Sequence, residues 1–238
     1  MTTALSSTGL ALDHLVVAAS TLEQGVRWCE AVLGVIPGPG GRHAFMGTHN
    51  RLLKLHGSGL ERAYLEIIAI DPQAPSPARA RWFGLDQRDP AAPPALVHWV
   101  LRCEDLPQRR AALREWGFDP GAPEAASRST PHGELHWRIS LRDDGQPLAG
   151  GALPTLIQWE GEHPTVRMAG SGIALQGFCV GPLPDAVRTL IQVPQLQVRQ
   201  QPGLQAALLT PRGHILLTSP SPSALSAAAH PAAKTPPP

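Results

Sequence analysis

Cysteine is scarce in this chain: Cys29, Cys103 and Cys179 make an odd, widely spaced set, each beside apolar neighbours. That excludes a disulfide framework or a zinc knuckle and makes a reducing compartment the default. No run reaches the roughly 20 apolar residues of a membrane span. The first twenty residues, MTTALSSTGLALDHLVVAAS, lack the basic start of a secretory signal and carry Asp13 and His14 inside their apolar stretch. The expected address is cytoplasmic. Excess charge of one sign is also missing. Twenty basic and 19 acidic residues are interspersed along 238, for a net +1, so no nucleic-acid or membrane partner is expected.

What is present divides unevenly. Residues 72–94 are crowded with proline and polar residues and read as a connection between two units. Residues 1–10 form an extension, and the tail 219–238 has too little to bury to offset its ordering entropy, so it is expected to be disordered.

Between these segments the chain repeats itself. Leu12, His14, Val16, Thr21 and Leu22 match Leu96, His98, Val100, Asp105 and Leu106, and after one gap Gly34, Pro37 and Gly38 match Gly117, Pro120 and Gly121. Each copy reads as a strand, a cap (Thr21 or Asp105), a helix ending at a glycine, and then two or three strands. The fold class is therefore α+β: tandem βαβββ modules at 11–71 and 95–164, whose sheets join into a curved, barrel-like cup with helices outside. Residues 165–218 echo the unit a third time, as a small covering α+β segment.

One residue looks misplaced. Glu66 sits inside AYLEIIAID, a run apolar enough to be covered on both faces. A carboxylate taken out of water costs several kcal/mol or more unless a cation, a donor or a metal compensates it. Strand alternation puts Leu12, His14, Val16 and Ala18 on one face, Leu96, His98, Val100 and Arg102 on the matching face, and Tyr64, Glu66 and Ile68 on a third. The repeat sets Leu156, Gln158 and Glu160 against that third set. About a pseudo-twofold axis, His14, Glu66, His98 and Gln158 converge, and two imidazoles with one carboxylate suit a divalent transition metal with open positions.

The tandem modules, the LDHLVVAA start and the YLEII strand resemble the vicinal oxygen chelate superfamily, in particular its glyoxalase-like domain proteins, over roughly residues 11–168. The resemblance implies metal ligands on the first and last strands of each module, which fall on His14, Glu66, His98 and Gln158. It implies an enzyme that chelates a small oxygenated substrate through two oxygens, as isomerase, lyase or dioxygenase, with Fe, Zn, Mn or Ni as the ion. A metal-free protein that sequesters a drug or metabolite, with Glu66 paired to an internal donor such as His14 or His98, is the alternative. A module kept only for its surface is a third.

The fourth ligand position usually holds an acid that also moves protons in isomerase members. Gln158 cannot ionise, which leaves Glu66 and, given a bulge, Glu160 as catalytic candidates. His43 and His49 either face the cavity as acid or base or shape a turn. Arg128, His132 and His136 either hold an anionic substrate group or are solvated. Trp82 and Phe83 either plug the barrel or line a substrate entrance. Members of the superfamily build the barrel within one chain or by exchanging modules, so a homodimer is an open possibility.

Overall fold

The computed structural model describes residues 9–193 and 196–220, so the extension at 1–8 and nearly all of the expected disordered tail lie outside the described residues. The first module is β1 (Ala11–Ala18), α1 (Leu22–Trp28) continued by a π-helical turn (Cys29–Leu33), β2 (Gly38–His43), β3 (Thr48–His56) and β4 (Tyr64–Ile70). The second is β5 (Ala95–Arg102), α2 (Leu106–Glu115), β6 (Ala122–Thr130), β7 (Gly133–Leu141) and β8 (Thr155–Glu160). In both, the first strand pairs parallel with the last and the remaining strands follow antiparallel. The modules join where β1 meets β5 antiparallel.

Both helices start as expected. The Thr21 hydroxyl accepts from the Gln24 N–H at 3.1 Å, and the Asp105 carboxylate accepts from the Gln108 N–H at 2.9 Å. The first ends at Gly34 (φ 74°), a left-handed turn that glycine enters without Cβ strain. Gly25 lets α1 lie close on β4, since a Cβ there would meet Ile67 Cγ2 at 2.5 Å.

The sheet buries both faces, which explains the apolar run of β4. Leu15, Val17, Leu65, Ile67, Trp99 and Leu101 pack outward against the helix layer. Val16, Ala18, Ile68, Val100 and Ile157 face into the cup. Each buried valine, leucine or isoleucine among them contributes about 1.5–3 kcal/mol. Two β-bulges qualify the expected faces: register shifts between Leu12 and His14 and beside Val97 send Leu12 and Leu96 to the outer core, away from His14 and His98.

The connection is no bare linker. It carries a 3-10 segment at Trp82–Gln87 that presses Trp82, Phe83 and Leu85 into the cup, with Phe83 (φ 59°) and Gly84 (φ 68°) both left-handed.

The third unit holds β9 (Gly170–Gly181), α3 (Asp185–Leu190), β10 (Leu196–Val198), β11 (Gly203–Thr210) and β12 (Gly213–Thr218). It repeats the order of elements but not their pairing: β9 takes β10 as parallel neighbour and β11 as antiparallel neighbour. It joins through β3 and covers the outer core, with Phe178 against Trp99. The result is one twelve-stranded mixed sheet. Among the described residues no helix is long and apolar enough to cross a membrane.

Candidate functional site

The β1 bulge places Asp13 at a point that strand alternation assigns to the other face. It is fully buried and accepts three hydrogen bonds: from His14 Nδ1 at 2.6 Å, Trp159 Nε1 at 2.9 Å and His163 Nε2 at 3.0 Å. Burial alone would raise its pKa, but the bonds from His14 and His163 outweigh that and hold the carboxyl well below the usual carboxylate range. The nitrogen of His14 that faces Asp13 therefore donates, and Tyr64 stacks on the ring at 4.6 Å. Burial, together with the charges of Asp13 and Glu66, pushes the Tyr64 phenol well above its ordinary value, so its hydroxyl stays protonated.

Glu66 finds its partners inside the chain. Oε1 accepts from Asn50 Nδ2 at 2.6 Å, and Oε2 lies 3.6 Å from His14 Nε2. His14 thus stands between two carboxylates, Asp13 behind it and Glu66 in front. Asn50 is itself fixed: its Oδ1 accepts from the Gly41 N–H at 2.8 Å, and Nδ2 lies 3.4 Å from His43 Nε2. Gly40 makes this possible, because a Cβ there would fall 2.2 Å from Asn50 Oδ1.

The expected four-residue metal cluster does not assemble. His98 is buried, but its Nε2 accepts from the Thr155 N–H at 3.1 Å and lies 3.0 Å from the Thr155 hydroxyl, while Phe83 packs on its ring at 5.1 Å. Trp82 and Phe83 stand in the walls of both the His98 cavity and the His14–Glu66 pocket. Gln158 faces outward, where its Oε1 accepts from the Leu106 N–H at 3.0 Å at the start of α2. The reason is register. Val16 pairs with Glu66 in the first module and Val100 with Thr155 in the second, so Thr155 is the true counterpart of Glu66. The cup-facing residues of β8 are accordingly Ile157 and Trp159. Among the described residues no three His, Cys, Asp or Glu side chains are grouped to hold a metal.

Other expected positions separate likewise. Glu160 is exposed on a groove rim, away from Glu66. His49 turns to the opposite face of β3, 4.0 Å from Asp71, and Asn50 and His43 take the inner positions instead. His132 and His136 are exposed. Arg128 and Trp82 stand in the pocket wall. Asp13, Asn50, Tyr64, Trp159 and His163 complete the site and were not among the expected site residues.

Two spaces meet here. The inner pocket, about 30 Å³, is lined by His14, His43, Asn50, Tyr64, Glu66 and Arg128 under a roof of aromatic rings. It has room for about one water molecule. A groove of about 500 Å³ adjoins it, with Leu52 and Arg128 in both walls.

The buried histidines set an acid limit on the fold. Burial, then the nearby charges of Arg128, His14 and His49, pushes His43 down to about 3; burial, then His14, does the same to His98. Unfolded, each titrates near 6.5. Stability is therefore full above pH ~6.5 and is lost as pH falls towards 3, by about 1.4 kcal/mol per pH unit for each histidine. Urea midpoints between pH 7 and 4 should follow that slope, and His98→Gln should flatten it by about one proton. A midpoint flat across that range would contradict the assignment.

A family model described as a glyoxalase-like domain matches residues 12–192. No curated protein matches the sequence. Among solved structures, a hypothetical protein from Staphylococcus aureus is similar with a TM-score of 0.53 at 14% identity, over 88% of this chain and 85% of that one. Methylmalonyl-CoA epimerase from Mycobacterium tuberculosis gives a TM-score of 0.40 at 20% identity, over 71% of this chain and 97% of that one. These likenesses concern the fold.

Proposed function

Since the chain belongs to the glyoxalase-like domain family of the vicinal oxygen chelate superfamily, we propose that it is an enzyme that moves a proton at the carbon beside a carbonyl in a small oxygenated acid. The observation that carries this reading is the line Asp13, His14, Glu66 closing on a pocket beside the half-buried Arg128. Glu66 takes the proton from carbon, and the electron pair of that C–H bond forms a C=C bond as the carbonyl π pair moves to oxygen. A proton on His14 Nε2 passes to that oxygen, and Asp13 holds the ring in line throughout. Arg128 opposes the negative charge that develops. The aromatic roof excludes water, which strengthens these interactions.

Of the four residues expected around Fe, Zn, Mn or Ni, only His14 and Glu66 face each other. The proton transfer is therefore assigned to the chain's own groups. The three unpaired cysteines suit a cytoplasmic setting.

The test is exchange of the C3 protons of 2-oxobutanoate in D2O, followed by proton NMR after dialysis against a chelator. Exchange at least a hundredfold above the protein-free rate is expected. Activity lost on dialysis and restored by a divalent ion would overturn the metal-independent assignment, and elemental analysis of the undialysed protein would then name the ion. Tight binding with no exchange would instead favour a sequestering protein, a reading supported by the internal bond from Asn50 to Glu66.

A further inference from the structure

The groove beside the inner pocket is far larger than the pocket itself, and its walls differ in character. Val35, Ile36, Leu53, Leu135 and Met168 make much of its lining, and Ile36 is 64% exposed at its mouth. The space falls in the range of drug-sized ligands. Arg128 stands where groove and pocket meet. Its Nη1 donates to the Gly40 carbonyl at 3.1 Å, it makes no salt bridge among the described residues, and the carboxylate whose charge reaches it is Glu66, in the wall of the same pocket. The other cation of the rim is already matched, Arg167 by Glu162 at 2.7 Å. A half-buried guanidinium with no salt bridge, at the foot of a largely apolar channel, suits the recognition of a carboxylate or phosphate.

The rim decides between those two. Glu134, Glu160 and Glu162 border the groove, so a polyanionic body such as a nucleotide would meet like charge along its length. The inner pocket admits only an atom or two, so the reacting end is small. We infer that the substrate is an amphiphilic carboxylic acid: its carboxylate on Arg128, its carbonyl oxygen in the pocket beside His14, and a hydrocarbon body of about six carbons or more along Val35, Ile36, Leu53, Leu135 and Met168. Only the placement of the reacting end rests on the proton-transfer reading.

Non-reactive fatty acids separate the two. Isothermal titration with butanoate and octanoate, the latter kept below its micelle concentration, should show octanoate binding on the order of a hundredfold tighter, from four added methylenes. Octanol should bind at least tenfold more weakly than octanoate, and Arg128→Gln should remove that difference. Equal binding of the two acids, or tighter binding of free coenzyme A than of octanoate, would overturn the inference. The chain-length comparison uses the unaltered protein, so it stands whether or not the variant folds. Octanoate binding with no exchange at C3 of 2-oxooctanoate, the eight-carbon counterpart of 2-oxobutanoate, leaves the groove assigned and removes the proton-transfer reading. Exchange with no preference for octanoate does the reverse.

Discussion

Glu66→Gln should lower proton exchange by about 10³-fold, within the 10²–10⁴ that a positioned acid or base contributes, while leaving the fold intact. The amide keeps the shape of the carboxylate, and its oxygen can still accept from Asn50 Nδ2, the 2.6 Å bond that anchors the side chain. What it lacks is the ability to take a proton. Octanoate binding should hold or tighten, because the groove is untouched and Arg128 loses the nearby negative charge of Glu66. A variant that keeps a tenth or more of the exchange rate would remove Glu66 as the base.

Asp13→Asn should damage stability as well as rate. The carboxylate accepts from three donors, His14 Nδ1, Trp159 Nε1 and His163 Nε2, and it has no exposed surface. An amide offers one oxygen to these three and turns its own N–H groups toward them. Breaking one member of a buried charge network costs about 3–5 kcal/mol. At 2–4 °C per kcal/mol for a chain of this size, melting should fall by roughly 6–20 °C. Below that melting point, exchange should fall at least a hundredfold, with a changed pH profile, since His14 loses the anion that orients it. Trp159→Phe removes one donor and keeps the anion, so it should cost about 1.5–3 kcal/mol and leave the profile in place. Similar losses in both variants would mean that Asp13 acts by packing alone.

The repeat carried most of the architecture because its signals are local. The caps at Thr21 and Asp105, the helix-ending glycines and the apolar strands each depend on a few adjacent residues, and the structure follows them. The inner faces around His14 and Glu66 were legible for the same reason. Register was not. The repeat sets Gln158 against Glu66, whereas hydrogen bonding aligns Thr155, and strand pairing is fixed by the partner strand rather than by residues in β8 itself. Bulges have no residue signature either, and the one in β1 brings Asp13 to His14. A signal for Asp13 did exist: like Glu66, it is an acid inside an apolar strand and needs a compensating partner. His163 and Trp159 reach the site from the far end of the second module, through contacts that only the folded sheet reveals.

The two margins of the cup, β2 and β6, have no backbone ladder between them: β2 pairs with β3 and β6 with β7. At this margin Arg128 of β6 donates to Gly40 of β2. A seam fastened by a side chain parts at far smaller cost than a row of peptide hydrogen bonds, since only a rotamer has to change. The same guanidinium that would greet a carboxylate therefore also bridges the two margins of the cup, since one nitrogen serves the Gly40 carbonyl and its other donors remain for an anion.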